Sequence, residues 1–291
     1  MKAQYSNRVL SSILLFIDNK ICTKGQAYIN TSSYFYPATT NINGYYSYVA
    51  PYNQIIYDTS ITGATIMTGV YLNSTFITTG QSGFAGIDYN NGRLYFTSQI
   101  PDSVPISGSY AIKEYNICLT NQPDEKLLVE TKYSHKSKLS KNTQTVSGLK
   151  NDEVAYPVIF IRQNQLQNEP FSFGGQDLTK NYIRFTVLSD SQFSNDAVNS
   201  ICADLNNVQI PLLSESQMPF NYLGLLKSQP YNYLDATAAN YNNGELLYIE
   251  RTSLISFFQR AFDQTLKEIN PEVFTSIIDI ETSKARYPRQ E

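Results

Sequence analysis

The chain has 291 residues, a formal net charge of −3 and only 16% charged residues, against about 25% in typical globular domains. This balance argues against general nucleic-acid binding, which needs a dense basic face. One histidine and three scattered cysteines argue against a histidine-dependent triad, a multi-histidine zinc site and a disulfide scaffold. Tyrosine is frequent, at 23 copies, and such side chains favour half-buried pleated surfaces and protein contacts.

The first element is an apolar run, Val9–Ile17. It is too short to span a bilayer, which takes about 20 residues. Asp18 follows the run where a signal peptide would have a small-residue cleavage site. The run therefore predicts a buried strand or helix, and the three cysteines are expected as buried thiols in a reducing cytoplasm.

Residues 21–133 predict an all-β region. Turn signals recur along the region, and the strongest is Asn91-Gly92, whose residues tolerate the positive φ of a tight hairpin. After it, Leu94 and Phe96 alternate with polar neighbours, which is the period of a half-buried strand. With its apolar N-terminal entry element, segment 1–133 predicts an antiparallel β-sandwich or barrel.

Residues 134–152 predict an exposed polar arm or linker, because the segment is basic and almost free of apolar side chains. Its lysines include Lys136, Lys138 and Lys141. An arm that is either solvated or ordered by a partner is the first interpretation, and contact with a phosphate backbone is the alternative.

Residues 153–291 predict a smaller α+β domain, so the whole chain is expected to be α+β and mainly β. Apolar runs predict strands at residues 154–161, 181–188, 246–249 and 273–280. A helical stripe that contains Ala197, Val198, Ile201, Cys202 and Leu205 predicts a helix capped by Ser194 or Asn195. A second helix is predicted from the spacing of Leu254, Phe257, Phe258, Ala261 and Phe262.

No residue pattern predicts catalysis, a cofactor or a metal site. The single histidine, His135, lies in the lysine-rich arm, and no spacing sets any pair of carboxylates apart. The glycine-rich stretch 171–177 lacks the Gly-Lys-Ser/Thr ending of a phosphate-binding loop. Gly174 and Gly175 are expected to turn the chain between strands, or to pack bare backbone against a neighbouring subunit.

Aromatic clusters give the remaining candidate contacts. Residues 34–37 read Tyr-Phe-Tyr-Pro, and Tyr45-Tyr46 follow shortly after. Packing in the core and at interfaces is the first interpretation, and glycan binding by these rings is the alternative.

Several motifs carry a resemblance to a known group. They are the stretches 44–48 (Gly-Tyr-Tyr-Ser-Tyr), 69–71, 86–93, 173–177 and 189–193. In these stretches the chain resembles virion structural proteins of tailed bacteriophages, particularly the T4-like contractile-tailed group from marine hosts. The resemblance implies a non-enzymatic protein of the neck or tail, such as a head–tail connector or tail terminator.

The same resemblance implies a homo-oligomeric ring that is assembled in the host cytoplasm and located in the virion. Expected partners are copies of the chain, the portal or connector, and the tail tube or sheath, with no membrane and with nucleic acid only passing through the lumen. Expected contact residues are Tyr45, Tyr46, Lys136, Lys138, Lys141, Gly174 and Gly175. The alternatives are a baseplate or fibre adhesion module that binds host carbohydrate and, more remotely, a two-carboxylate hydrolase.

Overall fold

Strands dominate the part of the chain that the computed structural model describes, which is residues 2–39, 41–42, 44–52, 54–124, 126–127, 135–136, 154–172, 175–219, 233–237, 245–256 and 273–287. Helix α1 spans Tyr5–Lys24, helix α2 spans Gln192–Ala203, and a 3-10 helix spans Tyr233–Ala236. Two sheets carry most of the rest. The predicted fold class, α+β and mainly β, is confirmed.

The first sheet has seven strands in the order β4-β3-β7-β1-β2-β6-β5 and closes almost into a barrel. All of its paired neighbours are antiparallel. The strands are β1 Tyr28–Pro37, β2 Tyr46–Val49, β3 Gly69–Leu72, β4 Thr75–Thr78, β5 Phe84–Asp88, β6 Arg93–Phe96 and β7 Ile106–Lys113.

The interior of this sheet is an aromatic and aliphatic cluster. Alternate residues point inward, as the period of two requires, so that Phe35, Tyr48, Leu94 and Phe96 are buried together. Their rings pack at tilted and edge-on angles, with 5.4 Å between the centroids of Tyr48 and Phe96. The predicted hairpin at Asn91-Gly92 is confirmed, because Gly92 has a φ of 58° and joins β5 to β6.

The second sheet has six strands in the order β13-β14-β15-β12-β11-β8. Its neighbours are antiparallel except for β8 and β11, which are parallel. The strands are β8 Asn116–Leu119, β11 Val158–Ser172, β12 Gln176–Ser189, β13 Val208–Pro211, β14 Leu246–Ser256 and β15 Phe274–Arg286. A separate short parallel pair joins β9 His135–Lys136 to β10 Val154–Ala155.

Helix α1 is the central element of the larger core. Ile13, Leu15 and Ile17 have no exposed surface, and they pack in one cluster with Phe185 of β12 and Ile278 of β15. The apolar run at residues 9–17 is therefore a buried helix, one of the two structures predicted. The division into segments 1–133, 134–152 and 153–291 stays a prediction, although α1 and β8 from the first segment pack on the second sheet.

Helix α2 packs on the second sheet through a face that carries both polar and apolar residues. Val198 and Cys202 are buried as predicted, whereas Ala197 is exposed. The predicted cap was wrong: the hydroxyl of Ser191 accepts the backbone N–H of Ser194 at 3.2 Å, so the helix begins earlier. Such a cap satisfies one of the free N–H groups of the first turn.

The helix predicted from Leu254 onward was wrong at its start. Leu254 lies in β14 and pairs with Ile278 of β15. A bulge between Ile249 and Arg251 shifts the alternation of β14, which removes the strict period of two from the sequence. The remaining predicted helical positions, residues 257–262, lie outside the described residues.

Candidate interaction surface

The outer face of the first sheet carries a row of cross-strand neighbours over four strands. Phe76 of β4 lies opposite Tyr71 of β3, Tyr71 lies opposite Ser107 of β7, and Ser107 lies opposite Tyr34 of β1. Directly opposed residues of antiparallel strands share a face. The three aromatic side chains therefore lie along one line, with the small Ser107 between two of them.

A second row continues on the same face over the other strands. Tyr36 of β1 lies opposite Val49 of β2, Val49 lies opposite Arg93 of β6, and Arg93 lies opposite Asp88 of β5. Tyr34 and Tyr36 are two residues apart on β1, so both point outward, while Phe35 between them is buried in the core. Val49, Arg93 and Asp88 are buried, so this second row does not extend the exposed surface across the sheet.

Five aromatic side chains on this face are exposed, and we call them the outer aromatic face. Their exposed fractions are 57% for Tyr34, 43% for Tyr36, 41% for Tyr45, 42% for Tyr71 and 46% for Phe76. With about 200 Å² per aromatic side chain, these fractions amount to about 500 Å² of exposed aromatic surface.

The hairpin β3–β4 presents two members of the outer aromatic face. Asn73 and Ser74 adopt positive φ values of 44° and 75°, and this left-handed pair reverses the chain in a tight turn. The rings of Tyr71 and Phe76 then lie 5.1 Å apart. At Gly69, a Cβ atom would lie 2.3 Å from the carbonyl oxygen of Ile77, so only glycine allows this close pairing.

Tyr45 and Tyr46, both expected contacts, differ in where the structure places them. Tyr45 is exposed on the outer aromatic face, and its ring centroid lies 6.4 Å from that of Tyr95 on β6. Tyr46 lies opposite Phe96, points inward and is half-buried against the core. Of the two, Tyr45 is the side chain that a partner can reach directly.

The other expected contacts fall on two segments. Lys136 belongs to the short strand β9, while Lys138, Lys141 and Gly174 lie outside the described residues. Gly175 turns the chain between β11 and β12 with a φ of 86°. Its predicted role as a turn residue is confirmed, and its role in subunit contact stays a prediction.

A buried polar cluster centres on Asp18 of α1, which has no exposed surface. Its Oδ2 accepts a hydrogen bond from Lys113 Nζ at 2.6 Å, and its carboxylate also accepts the phenol hydroxyls of Tyr115 and Tyr233. The Lys113 ammonium lies 5.8 Å and 5.6 Å from the centroids of those two rings. The 3-10 helix is held further by Asp58, which accepts the backbone N–H of Tyr233 at 2.7 Å.

The electrostatics of this cluster favour protonated phenols and thiols. Burial, aided by the negative charge of Asp18, raises the pKa of Tyr115 well above 10.0. The same causes raise the pKa of the Cys22 thiol from 9.0 to about 11, and its sulfur lies 3.1 Å from the Tyr115 hydroxyl. A thiol with a raised pKa is a weak nucleophile. Because Asp18 is sealed from solvent, the cluster joins α1, β7 and the 3-10 helix rather than facing a substrate.

Sequence reasoning missed Tyr71 and Phe76 as members of one exposed surface. The sequence held only a partial indication of this surface, because Tyr71 and Phe76 each stand next to an aliphatic residue within a short strand. The Asp18 cluster was also missed, because its members lie 95 and 215 residues from Asp18 in sequence.

Comparisons with known proteins add no relative: no family model and no curated protein matches the chain. Within the residues described above, no group of three or more His, Cys, Asp or Glu side chains is arranged to hold a metal ion. Neither helix of that part combines the length and hydropathy needed to cross a bilayer.

Proposed function

We propose that the chain is a non-enzymatic structural protein of a tailed-phage virion, which acts in the neck or tail. It assembles into a homo-oligomeric ring that joins the head to the tail or caps the tail tube. The observation that carries this proposal is the outer aromatic face, because the five side chains remain exposed on a sheet whose other face already has a complete core. The resemblance of the motifs to phage virion proteins gives the biological setting.

The size of the outer aromatic face suits a subunit contact. A standard interface buries about 800 Å² on each partner, and this face supplies about 500 Å² of aromatic surface. Tyrosine is enriched at the centres of interfaces because its ring buries area while its hydroxyl finds a partner. A ring follows when one such patch meets a different patch on the next copy and the rotation closes.

The mechanism is geometric and needs no bond-making step. Asp18 and Lys113 tie α1 to the strand that carries Ser107, so the helix supports the sheet that presents the outer aromatic face. A rigid sheet fixes the angle between copies, and this angle sets the number of subunits.

Mass photometry of the purified protein at nanomolar to micromolar concentration tests the proposal. The expected result is one closed oligomer of defined mass that appears as a ring under the electron microscope. A monodisperse monomer at every concentration that also fails to join assembling particles would contradict the proposal.

A second candidate function is an adhesion module of the baseplate or fibre that binds host carbohydrate. Tyr45 and Tyr95 favour it, because two neighbouring rings on an exposed face can stack against a sugar. A glycan array with wild-type protein and a Tyr45→Ala variant separates the two candidates. Glycan binding that is lost in the variant supports adhesion, and an array without signal removes it.

A further inference from the structure

The ion pair of Asp18 and Lys113 lies away from water. The Asp18 side chain has no exposed surface, the Lys113 side chain is 11% exposed, and Lys113 Nζ lies 2.6 Å from Asp18 Oδ2. In the described part of the chain, the carboxylates of the other lysine pairs are 41% to 66% exposed. A buried pair of charges is costly, because the desolvation penalty can exceed the attraction between the charges.

The amine and the carboxylate are held in position to react with each other. Lys113 Nζ is hydrogen-bonded to Asp18 Oδ2, so it lies one C–O bond away from Cγ, the carbon of the carboxylate. The rings of Tyr115 and Tyr233 flank the ammonium, with 5.8 Å and 5.6 Å between Nζ and their centroids. Groups that are fixed in contact react as if they were present at very high concentration.

Two phenol hydroxyls supply the hydrogen bonds that an acyl transfer needs. The Tyr115 hydroxyl donates to Asp18 Oδ1, and the Tyr233 hydroxyl donates to Asp18 Oδ2. Burial raises the pKa of Tyr115 well above 10.0, so this hydroxyl keeps its proton. A fixed donor at an oxygen on which negative charge develops stabilises the transition state. Tyr233 is fixed in turn by Asp58, which accepts its backbone N–H at 2.7 Å.

We propose that Lys113 and Asp18 condense to an intramolecular amide, a covalent link between α1 and β7, with Tyr115 as the donor at Oδ1. The ammonium first passes one proton to Oδ2, which leaves a neutral amine and a carboxylic acid. The amine nitrogen then attacks Cγ, so that the Nζ–Cγ bond forms and the Cγ–Oδ2 bond breaks. Oδ2 leaves as water with a second proton from the amine, and Oδ1 becomes the amide oxygen beside Tyr115.

The burial that makes the ion pair costly favours this reaction. The reaction replaces two charges with one neutral amide, and it needs no other reactant because the second product is water. The link joins residues that are 95 apart in sequence, so it restricts the unfolded chain as a disulfide does. The inference stands apart from the proposed ring, since the reaction takes place within a single chain.

Mass spectrometry of the purified full chain under denaturing conditions tests the proposal. The linked chain is expected to weigh about 18 Da less than its sequence, which is the mass of one water. Cyanogen bromide cleaves after methionine, and Met67 lies between Asp18 and Lys113 in the sequence. The two fragments that carry these residues are therefore expected to stay joined in denaturant, and one branched peptide should contain both residues.

Three substitutions identify the groups that react. Lys113→Arg keeps a cation next to Asp18 but cannot form this amide, so its chain is expected to have the full sequence mass. Tyr115→Phe removes the donor at Oδ1, and the link is expected to form roughly 100-fold more slowly after synthesis. Tyr110→Phe is the matched control, because the buried Tyr110 hydroxyl lies on the same strand but contacts Ser33 at 2.6 Å. This variant is expected to form the link at the wild-type rate.

The wild-type chain by itself decides the central point. A chain that keeps its full mass after prolonged incubation and separates into two fragments at Met67 contains an ordinary ion pair, which overturns the proposal. A loss of water without the branched peptide also overturns it, because the dehydration then lies elsewhere in the chain. A link that forms equally fast in Tyr115→Phe contradicts the role given to this hydroxyl.

Discussion

The double substitution Tyr34→Ser with Tyr71→Ser gives the sharpest prediction for the outer aromatic face. The two side chains are 57% and 42% exposed, so together they offer nearly one whole tyrosine side chain, or about 200 Å². At about 25 cal/mol per Å², burying this surface in a contact is worth at most about 5 kcal/mol. Imperfect burial lowers this value, so we expect about 3 to 4 kcal/mol.

The assay is sedimentation velocity over a concentration series. A loss of 3 to 4 kcal/mol corresponds to a dissociation constant raised by about 100-fold to 1,000-fold. The melting temperature of dilute protein is expected to stay near that of wild type, because both side chains point away from the core. Phe193→Ser is the control, since Phe193 is 85% exposed and belongs to α2, which packs on the second sheet.

Two results would refute the reasoning. If the double variant associates as tightly as wild type, the outer aromatic face is not a contact between copies. If Phe193→Ser weakens association equally, the effect comes from general apolar exposure rather than from this face.

Three further predictions concern the stability of the fold. Asp18→Asn leaves the Lys113 ammonium facing a neutral amide, and should lower the free energy of unfolding in urea by about 3–5 kcal/mol; adding Lys113→Met should recover part of this loss, and simple additivity would contradict the coupling. Gly69→Ala brings a Cβ within 2.3 Å of the carbonyl oxygen of Ile77, so it should lower the free energy of unfolding by about 1–3 kcal/mol and weaken association. Gly86→Ala is the control and should leave both quantities unchanged, because a Cβ there meets no atom within 4 Å. Burial raises the pKa of the Cys202 thiol from 9.0 to about 12, so the thiol's contribution to stability is complete below pH 9 and is lost as the pH rises toward 12. The free energy of unfolding, measured against pH above 9, should therefore fall less steeply in Cys202→Ala than in wild type. Equal slopes for the two proteins would contradict this.

Local signals in the sequence predicted the local structure well. The residues Asn91-Gly92 encode a hairpin by themselves, because positive φ values are needed only at the turn. The structure of the run Val9–Ile17 was left open between strand and helix, since a helix that is buried on most sides loses its polar stripe. The error at Leu254 has a similar local origin, because the bulge in β14 interrupts the alternation.

The candidate site could not be predicted in the same way. Tyr34 and Tyr71 lie on either side of Ser107 because β7 lies between β1 and β3 in the sheet. This strand order does not follow the order of the sequence. Which residues from distant parts of the sequence share a face can be predicted only when the register of the three strands is known. For the same reason, the sequence could select Tyr45 and Tyr46 as aromatic but could not show that only Tyr45 points outward.

A reconstruction of the assembled protein by cryo-electron microscopy tests the central claim most directly. The expected result is a closed ring in which Tyr34, Tyr36, Tyr71 and Phe76 are covered by the adjacent copy. A ring that leaves these aromatic side chains open to solvent, or a preparation that contains only single chains, would contradict it.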